Sequence, residues 1–318
     1  MFRVRITFLG TSATFPTKDR NHPGVFLEFM NEGLLFDCGE NIQRQFRIAG
    51  ISITKITRIF ITHWHGDHVL GLPGILFSLA NSEYKKRLHI YGPEGIKDKI
   101  NALIDIYEIP INFPIEIIEL KETYEIKKLI DEKEFEIYYT FGEHTVPVIS
   151  YAFKEKDKRK IKVDYVRSLG IPTPHPILGK LQRGETIVWK GKKITPEEAT
   201  YIKRGFKVTY ITDTVFKKNL IELAKESDIL ISEATYSKKD KEIAKEHYHM
   251  TTEDAENIAK ESKSRILILT HFSQRYKNPE ELLNEISFKP AFIAKDFMQI
   301  TYVKNKIIIN GKEFIRET

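Results

Sequence analysis

Three histidines and an aspartate fall within six consecutive positions: His63, His65, Asp67 and His68. They come directly after an apolar run, residues 59–61, which is typical of a short buried strand. Neutral imidazole and carboxylate are preferred ligands of first-row transition metals, and residues two apart on an extended chain point the same way. We therefore expect His63 and His65 to share one metal ion, while Asp67 and His68 face a second.

Further candidate ligands follow other apolar, strand-like runs, because His144, Asp213 and His271 each lie within three residues of the end of such a run. Strands that end at one edge of a sheet deliver their side chains to a common place. A histidine-rich turn on the surface is the alternative, since short motifs match by chance. Chance would not place the remaining ligands after strand ends. The predicted ligands form two sets and a bridge: His63, His65 and His144; Asp67, His68 and His271; and Asp213 between them.

Such a pair of metal ions predicts hydrolytic chemistry. Metal ions about 3.5–4 Å apart stabilise the entering and leaving oxygens of an in-line displacement and lower the pKa of a bound water. Hydroxide attack on a phosphate or carbonyl group is the economical mechanism, because the sequence shows no nucleophile elbow and no P-loop. Asp67 is also a candidate for orienting the attacking water.

One further histidine is a candidate proton donor. His249 lies just before Thr251 and Asp254, which match the capping box of a helix start. A histidine ordered there could donate to the phosphate or the leaving oxygen, with a carboxylate such as Glu233 orienting it. An ordinary surface histidine is the alternative, and the residues alone do not decide. The other histidines have no comparable placement and are expected to be ordinary: His22, His89, His175 and His247.

The elements that must position these residues are those of an α/β protein. Apolar runs and amphipathic stretches alternate through the first 150 residues and again after residue 205, and 41% of the 318 residues are hydrophobic. We expect one domain over residues 1–318. The single cysteine, Cys38, excludes an internal disulfide and favours a cytoplasmic protein. No run reaches the roughly 20 apolar residues that cross a bilayer, so no membrane partner is expected.

Positive charge is concentrated in one insertion, residues 154–193. It holds twelve lysines or arginines against four acidic residues, a net charge of +8 in a chain whose total is +6. A solvated lysine-rich loop is the ordinary interpretation of such a stretch. Its second half, residues 169–184, mixes prolines with apolar residues, which favours a shaped, protruding arm. Concentrated charge of this kind indicates a polyanionic partner.

The segment from His63 to His68, followed by distant His144, Asp213 and His271, resembles the metallo-β-lactamase superfamily. More closely, the chain resembles the short form of the tRNase Z (ribonuclease Z) family. The loop from Pro16 through Lys18, Arg20 and Asn21 matches that family's most specific local motif, and residues 36–40, 43–45 and 271–276 also match. The chain departs from the family pattern in two places: residues 172–176 replace a Gly-Pro-rich segment of the arm, and Met250 replaces the serine that usually follows the catalytic histidine.

The resemblance implies an αββα sandwich with two zinc ions per subunit, for which manganese can substitute in vitro. It implies an endonuclease that removes the 3′ trailer from precursor tRNA, leaving a 3′-hydroxyl on the tRNA and a 5′-phosphate on the trailer. His249 would be catalytic, and residues 154–193 would be a flexible arm that grips tRNA, in a homodimer whose partner's arm serves each site. The residues expected to bind substrate are Lys18, Arg20, Asn21 and Arg275.

Two other functions fit parts of the sequence. A metallo-β-lactamase-fold phosphodiesterase or small-molecule hydrolase would share the metal ligands, but it has no use for a concentrated basic arm. An inert RNA-binding module would keep the arm, but inert relatives usually lose metal ligands, and this chain retains all seven.

Overall fold

A computed structural model describes residues 3–316, so the four terminal positions of the expected 1–318 domain lie outside the described residues. The first ten strands are β1 (Val4–Gly10), β2 (Gly24–Phe29), β3 (Glu32–Phe36), β4 (Arg58–Phe60), β5 (Leu88–Pro93), β6 (Ile115–Leu120), β7 (Lys127–Asp131), β8 (Phe135–Phe141), β9 (Ile149–Glu155) and β10 (Lys158–Ile161). The others are β11 (Ile187–Trp189), β12 (Lys192–Ile194), β13 (Thr200–Lys203), β14 (Lys207–Ile211), β15 (Ile229–Glu233), β16 (Leu267–Thr270), β17 (Ala291–Ile293), β18 (Gln299–Val303), β19 (Lys306–Ile309) and β20 (Lys312–Ile315).

The α-helices are short. They are α1 (Ile42–Ile48), α2 (Gly66–Val69), α3 (Leu72–Ala80), α4 (Ile96–Ile106), α5 (Val163–Ser168), α6 (Leu178–Gln182), α7 (Pro196–Ala199), α8 (Lys218–Ala224), α9 (Lys241–Glu246) and α10 (Thr252–Glu261). Segments of 3-10 helix occur at Ile53–Lys55, Lys238–Asp240 and Pro279–Glu285. Within residues 3–316, no helix combines the length and the apolar character that a membrane span requires.

Two large sheets form the body of the molecule. One has nine strands in the order β20-β19-β18-β1-β2-β3-β4-β5-β6, and the other has seven in the order β17-β16-β15-β14-β9-β8-β7. Their facing sides share one apolar core, while separate cores join the first sheet to α1, α3 and α4 and the second to α8 and α10. This is the αββα sandwich expected from the sequence, and the prediction is confirmed.

The alternation of side chains explains how one strand serves two cores. In β4, Phe60 faces the core between the sheets, whereas Ile59 and the following Ile61 face the helices. Phe60 stacks on Phe36 of β3 at a centroid distance of 5.0 Å, and the hydroxyl of Tyr151 donates to the Ile61 carbonyl at 3.0 Å. These buried rings fix the ends of β3 and β4, and the first histidines predicted to bind metal follow the end of β4.

The parallel strands give the sandwich one edge at which several carboxyl ends meet. Strands β3, β4 and β5 run parallel, and so do β14, β15 and β16. The two sheets are tied together at this edge, because the amide of Ile149 donates to the Thr62 carbonyl at 2.9 Å and Ser12 forms a bridge with Phe272. Side chains that follow these strands therefore lie close together.

The basic insertion is a small folded unit between β9 and β14. Strand β10 pairs with β13 and β11 pairs with β12, while α5 and α6 lie between β10 and β11 in the chain and α7 lies between β12 and β13. It has an apolar core of its own: Val166, Ile171, Leu178, Leu181, Ile187, Ile194 and Ala199. The unit spans residues 158–203, whereas the charge pattern indicated 154–193. Residues 154 and 155 belong to β9, and the partner strand that closes the base ends at Lys203.

Candidate active site

The seven side chains predicted to bind metal converge at the sheet edge. Their donor atoms form two sets, each with all atoms within 4.8 Å of one another: His63, His65 and His144 in one, and Asp67, His68, Asp213 and His271 in the other. Imidazole nitrogens and carboxylate oxygens at this spacing match the donors that bind zinc and similar ions. The composition and convergence of both sets therefore fit metal ions.

In the first set, the Nδ1 atom of His65 lies 3.0 Å from Nε2 of His63 and 3.3 Å from Nε2 of His144. In the second, the Nε2 atoms of His68 and His271 lie 3.3 Å apart. The Oδ2 atom of Asp67 lies 3.5 Å from the first of these nitrogens and 3.6 Å from the second. The donors of each set therefore lie close enough to face a common point.

Asp213, a member of the second set, also reaches the first. Its Oδ2 atom is 3.7 Å from Nε2 of His63, whereas its Oδ1 atom is 3.3 Å from Nε2 of His68 and 3.2 Å from Nε2 of His271. One carboxylate thus directs one oxygen to each set, which is the arrangement a bridging ligand requires.

The second nitrogen of each of these histidines is held by the protein. Nδ1 of His68 lies 2.8 Å from Oδ2 of Asp37, and Nδ1 of His271 lies 2.9 Å from the Thr235 hydroxyl. Such outer partners fix the orientation and tautomer of metal-binding rings. The others are Thr62 at 3.0 Å from His63, the Tyr248 carbonyl at 3.0 Å from His144, and Thr145 at 3.4 Å from His65.

Burial and neighbouring charges shift the pKa values of the site residues, and for His68 and Asp67 the two effects act in opposite directions. Burial lowers the pKa of His63 well below its usual value, and the neighbouring imidazoles act in the same direction. Burial also acts to lower the pKa of His68, but the carboxylates of Asp213, Asp67 and Asp37 outweigh it and raise that pKa. Burial acts to raise the pKa of Asp67, yet the charge on His68 and hydrogen bonds from the histidines bring it well below the usual range. Asp67 is therefore ionised.

Three residues of the site have left-handed backbone geometry, with φ of 61° at Asp37, 47° at Asp213 and 59° at His271. Non-glycine residues adopt this geometry uncommonly and at an energetic cost, and such positions cluster at functional sites. Each of the three follows the last residue of a strand or comes two residues after it. The strained geometry turns the side chain off the strand toward the metal-binding sets.

His249 and Glu233 form a buried pair beside the metal ligands. Nδ1 of His249 lies 3.1 Å from Oε2 of Glu233, and this carboxylate accepts hydrogen bonds from the Thr214 amide at 2.6 Å and the Thr235 hydroxyl at 2.5 Å. Burial alone would lower the pKa of His249, but the adjacent carboxylate outweighs it and raises this pKa to about 9. The capping box of Thr251 and Asp254 is present at the start of α10, as the sequence indicated.

The residues predicted to bind substrate have different surroundings. Lys18 is exposed in a cavity of about 470 Å³ beside the metal site. Arg20 is only 9% exposed, and it donates to the carbonyls of Tyr276 and Ser273 at 3.0 and 3.4 Å. The structure thus places Arg20 as a buried link between two loops and not on an exposed surface.

Asn21 also uses its polar groups within the protein. Its backbone amide donates to Oδ2 of Asp296 at 2.7 Å, and its side chain donates to the Glu40 carbonyl at 2.8 Å. Arg275 is half-exposed in the main cleft, where its guanidinium lies 5.2 Å from the centre of the Tyr236 ring and its Nη1 lies 3.5 Å from Asp240.

Sequence reasoning missed several residues of the site. Asp37 follows an apolar strand in the same way as the predicted ligands do, so its position was a usable signal. Thr235 carries no such signal, because its role depends on two histidines from distant segments. His22 and His247 were expected to be ordinary, yet both line the cleft of about 710 Å³ that opens over the metal ligands.

The chain is similar to known proteins over most of its length. Residues 4–155 match the family described as anti-Pycsar protein Apyc1, and residues 173–272 match the beta-lactamase superfamily domain. A ribonuclease Z from Nanoarchaeum equitans is 44% identical and covers 98% of this chain and 97% of its own length. One from Archaeoglobus fulgidus is 39% identical and covers 93% of this chain and 97% of its own length.

Solved structures show the same likeness. The crystal structure of human tRNase Z, short form, is 29% identical with a TM-score of 0.70, covering 93% of this chain and 98% of that one. The metallo-beta-lactamase fold protein YhfI from Bacillus subtilis is 17% identical with a TM-score of 0.68, covering 95% of this chain and 100% of that one, and supports the fold alone. The chain therefore belongs to the ribonuclease Z family of endoribonucleases, which have the metallo-β-lactamase fold.

Proposed function

We propose that this protein removes the 3′ trailer from precursor tRNA, using two zinc ions per subunit. The observation that carries the proposal is the position of Asp213 between the histidines of the two sets, with His249, which is paired with Glu233, lining the same cleft. His63, His65 and His144 would hold one ion, and Asp67, His68 and His271 the other. When bound, the two ions supply an activated water and stabilise negative charge on the phosphate oxygens.

The chain's own residues supply the proton and the orientation. Glu233 holds Nδ1 of His249, so the opposite ring nitrogen, Nε2, is directed away from that carboxylate. We assign to this Nε2 atom the proton that the leaving 3′-oxygen of the tRNA takes up. Cleavage on that side of the phosphate leaves a 3′-hydroxyl on the tRNA and a 5′-phosphate on the trailer. Asp67, which is ionised, would also orient the attacking water.

The loop that contains Lys18 would receive the 3′ end of the substrate. Lys18 and Arg44 are both exposed in the cavity beside the cleft, where they would meet phosphates. Arg20 and Asn21 would act by holding this loop against the rest of the site, because their donors are used on protein carbonyls. Arg275, which lines the cleft itself, would contact the RNA near the scissile bond.

The basic unit of residues 158–203 would bind the body of the tRNA. Its lysines and arginines lie on a folded element with a core of its own, and contacts of this type bind phosphates without reading sequence. We retain from the sequence the expectation of a flexible arm in a homodimer. The apolar side chains of Ile48 on α1 and Phe77 on α3 are about half-exposed on adjacent helices, which supports contact with a second copy there. A cytoplasmic location follows from a precursor-tRNA substrate.

The nearest alternative is another metallo-β-lactamase-fold phosphodiesterase or a hydrolase of small molecules. The names of the relatives favour the tRNA substrate, since the archaeal proteins are named ribonuclease Z and the human structure tRNase Z. The basic unit favours it too, because a small molecule would gain nothing from that charge.

The decisive experiment compares a 3′-extended precursor tRNA with a linear RNA of equal length, with and without a chelator, and maps both product ends. We expect metal-dependent cleavage of the folded precursor alone, with the two ends stated above. Equal cleavage of both RNAs would indicate a general ribonuclease. No cleavage by the zinc-loaded protein would support the small-molecule alternative. His249→Gln tests the proton donor, because it should reduce kcat while the bound metal is unchanged.

A further inference from the structure

Phe15 is a large apolar side chain that stands exposed at a polar site. It is 56% exposed and lines the same cleft as Asp67, His144 and His249. The metal and proton chemistry proposed above does not use Phe15. We propose that the Phe15 ring stacks on a nucleobase next to the scissile phosphate and so positions the RNA for cleavage. The inference rests on the proposed function and specifies how it engages the substrate.

The turn that carries Phe15 is fixed to the metal site. The backbone amide of Thr14 donates to Oδ2 of Asp67 at 2.9 Å, and the Ser12 hydroxyl donates to the Phe15 carbonyl at 2.7 Å. Ring nitrogen Nε2 of His22 lies 3.1 Å from the Thr14 carbonyl. These contacts hold the backbone on both sides of the Phe15 side chain, so the ring is presented by an ordered turn.

The turn is also strained. Thr14 has φ of 42°, which is unfavourable for a β-branched residue. Strain of this kind persists only where the surroundings fix it, and it is concentrated where it serves a function. The Thr14 amide is hydrogen-bonded to the Asp67 carboxylate, and the Cα atom of Phe15 lies only about 3.8 Å from that of Thr14. A change of the Thr14 backbone to an unstrained geometry would therefore move Phe15 relative to Asp67. The geometry therefore couples the position of the ring to that of a predicted metal ligand.

The cleft offers a second apolar side chain for such a base. Leu70, which is 58% exposed, follows α2 and lines the same cleft. Two exposed apolar side chains in the same cleft as the predicted metal ligands suit a nucleic acid, whose charged backbone and apolar base faces lie side by side. Stacking on an aromatic ring accepts any base, because every base has a π face. That property fits a substrate class whose members differ in sequence.

The test uses Phe15→Ala and the conservative Phe15→Tyr, with Tyr107→Ala as the matched control. Tyr107 is 58% exposed at the end of α4 and is not among the residues that line the cleft. Each protein is assayed on intact precursor tRNA and on two precursors with an abasic nucleotide, one on each side of the scissile phosphate. Hydrolysis of bis(p-nitrophenyl) phosphate, which has no base to stack on, is measured in parallel.

We expect Phe15→Ala to lower kcat/KM for intact precursor roughly tenfold to a hundredfold, as loss of one base–aromatic stack does. Phe15→Tyr and Tyr107→Ala should retain the wild-type value. Wild type and Phe15→Ala should cleave one of the two abasic precursors equally. That precursor lacks the base on which the Phe15 ring would stack, so loss of the ring has no further effect. Hydrolysis of the small diester should be unchanged in all variants.

The inference is overturned if Phe15→Ala loses the same factor on both abasic precursors as on the intact one. It is also overturned if Phe15→Ala changes the oligomeric mass and regains full activity at higher protein concentration, because a second copy would then cover the ring. Failure of the proposed function looks different: wild type would hydrolyse the small diester and leave every precursor uncut.

Discussion

The Oδ2 atom of Asp37 lies 2.8 Å from Nδ1 of His68, so a buried carboxylate orients the ring whose other nitrogen faces the second metal-binding set. Asp37 is itself fixed, since its Oδ1 atom accepts from the Thr62 amide at 2.8 Å and its Oδ2 atom from the Tyr210 hydroxyl at 3.1 Å. The carboxylate thus joins both sheets to one histidine.

Asp37→Asn should therefore weaken metal binding without unfolding the protein. Asparagine tolerates the left-handed geometry at this position, where φ is 61°, but it cannot hold the His68 ring with a full negative charge. Loss of such an outer partner costs about 10–100-fold in metal affinity. The measurement is zinc affinity by competition with a chelator, with Asp296→Asn as a control that removes a different buried carboxylate. Equal zinc affinities for wild type and Asp37→Asn would contradict the role given to Asp37.

Removing the basic unit should separate RNA binding from hydrolysis. Lys158 and Lys203 are paired residues of β10 and β13, so residues 159–202 can be replaced by a two-residue glycine-rich turn. We expect weaker binding of precursor tRNA and a shallower dependence of log K on log salt, by about 0.9 for each RNA phosphate that the unit neutralises. Hydrolysis of bis(p-nitrophenyl) phosphate should be unchanged. The matched control replaces Lys97 and Lys99 of α4 with glutamine, and an unaltered salt slope in the shortened protein would refute the assignment.

A stability prediction concerns the buried ion pair of Arg316 and Asp228. Nε of Arg316 donates to Oδ1 of Asp228 at 2.5 Å, and its terminal nitrogens donate to the carbonyls of Arg204 and Gly205, both at 2.8 Å. Arg316→Met leaves the carboxylate buried without this cation, which costs about 3–5 kcal/mol of unfolding free energy. Adding Asp228→Asn should recover part of the loss. Chemical denaturation measures it, and a change below about 1 kcal/mol, as at surface pairs, would disprove the account.

Asp296 should make stability depend on pH. Burial raises its pKa to about 6, although hydrogen bonds from the Asn21 amide, Thr11 and Gln45 act in the opposite direction. Because the folded pKa lies above the ordinary value of 3.8, the contribution of Asp296 is fully present below about pH 4. As pH rises through about 6 this contribution is lost, and the free energy of unfolding falls by up to about 3 kcal/mol.

Asp296→Asn has no carboxyl group to ionise, so it should lack this part of the pH dependence. The test is the unfolding free energy of both proteins between pH 4 and pH 7 in urea. The difference between wild type and variant should change across that range, with wild type losing stability relative to the variant as pH rises. A constant difference would show that Asp296 keeps an ordinary pKa in the folded protein.

The convergence of the seven predicted metal ligands could be predicted from sequence, because the segments that carry them follow strand ends and the strand ends of one sheet edge meet whatever the details of packing. The same reasoning did not reveal that Arg20 is buried, since an arginine in a loop has the same sequence pattern whether it meets RNA or protein carbonyls. It also gave no sign of the strand that pairs with the start of the basic unit. Strand Thr200–Lys203 is short and lies outside the charged stretch, and only its pairing with β10 identifies it as part of the unit.

The measurement that tests the account most directly is anomalous X-ray scattering at the zinc edge from crystals of the zinc-loaded protein. We predict two peaks per chain, one among His63, His65 and His144 and one among Asp67, His68 and His271, with a carboxylate oxygen of Asp213 next to each. A single peak, or peaks away from Asp213, would contradict the two-metal site on which the proposed cleavage of precursor tRNA depends.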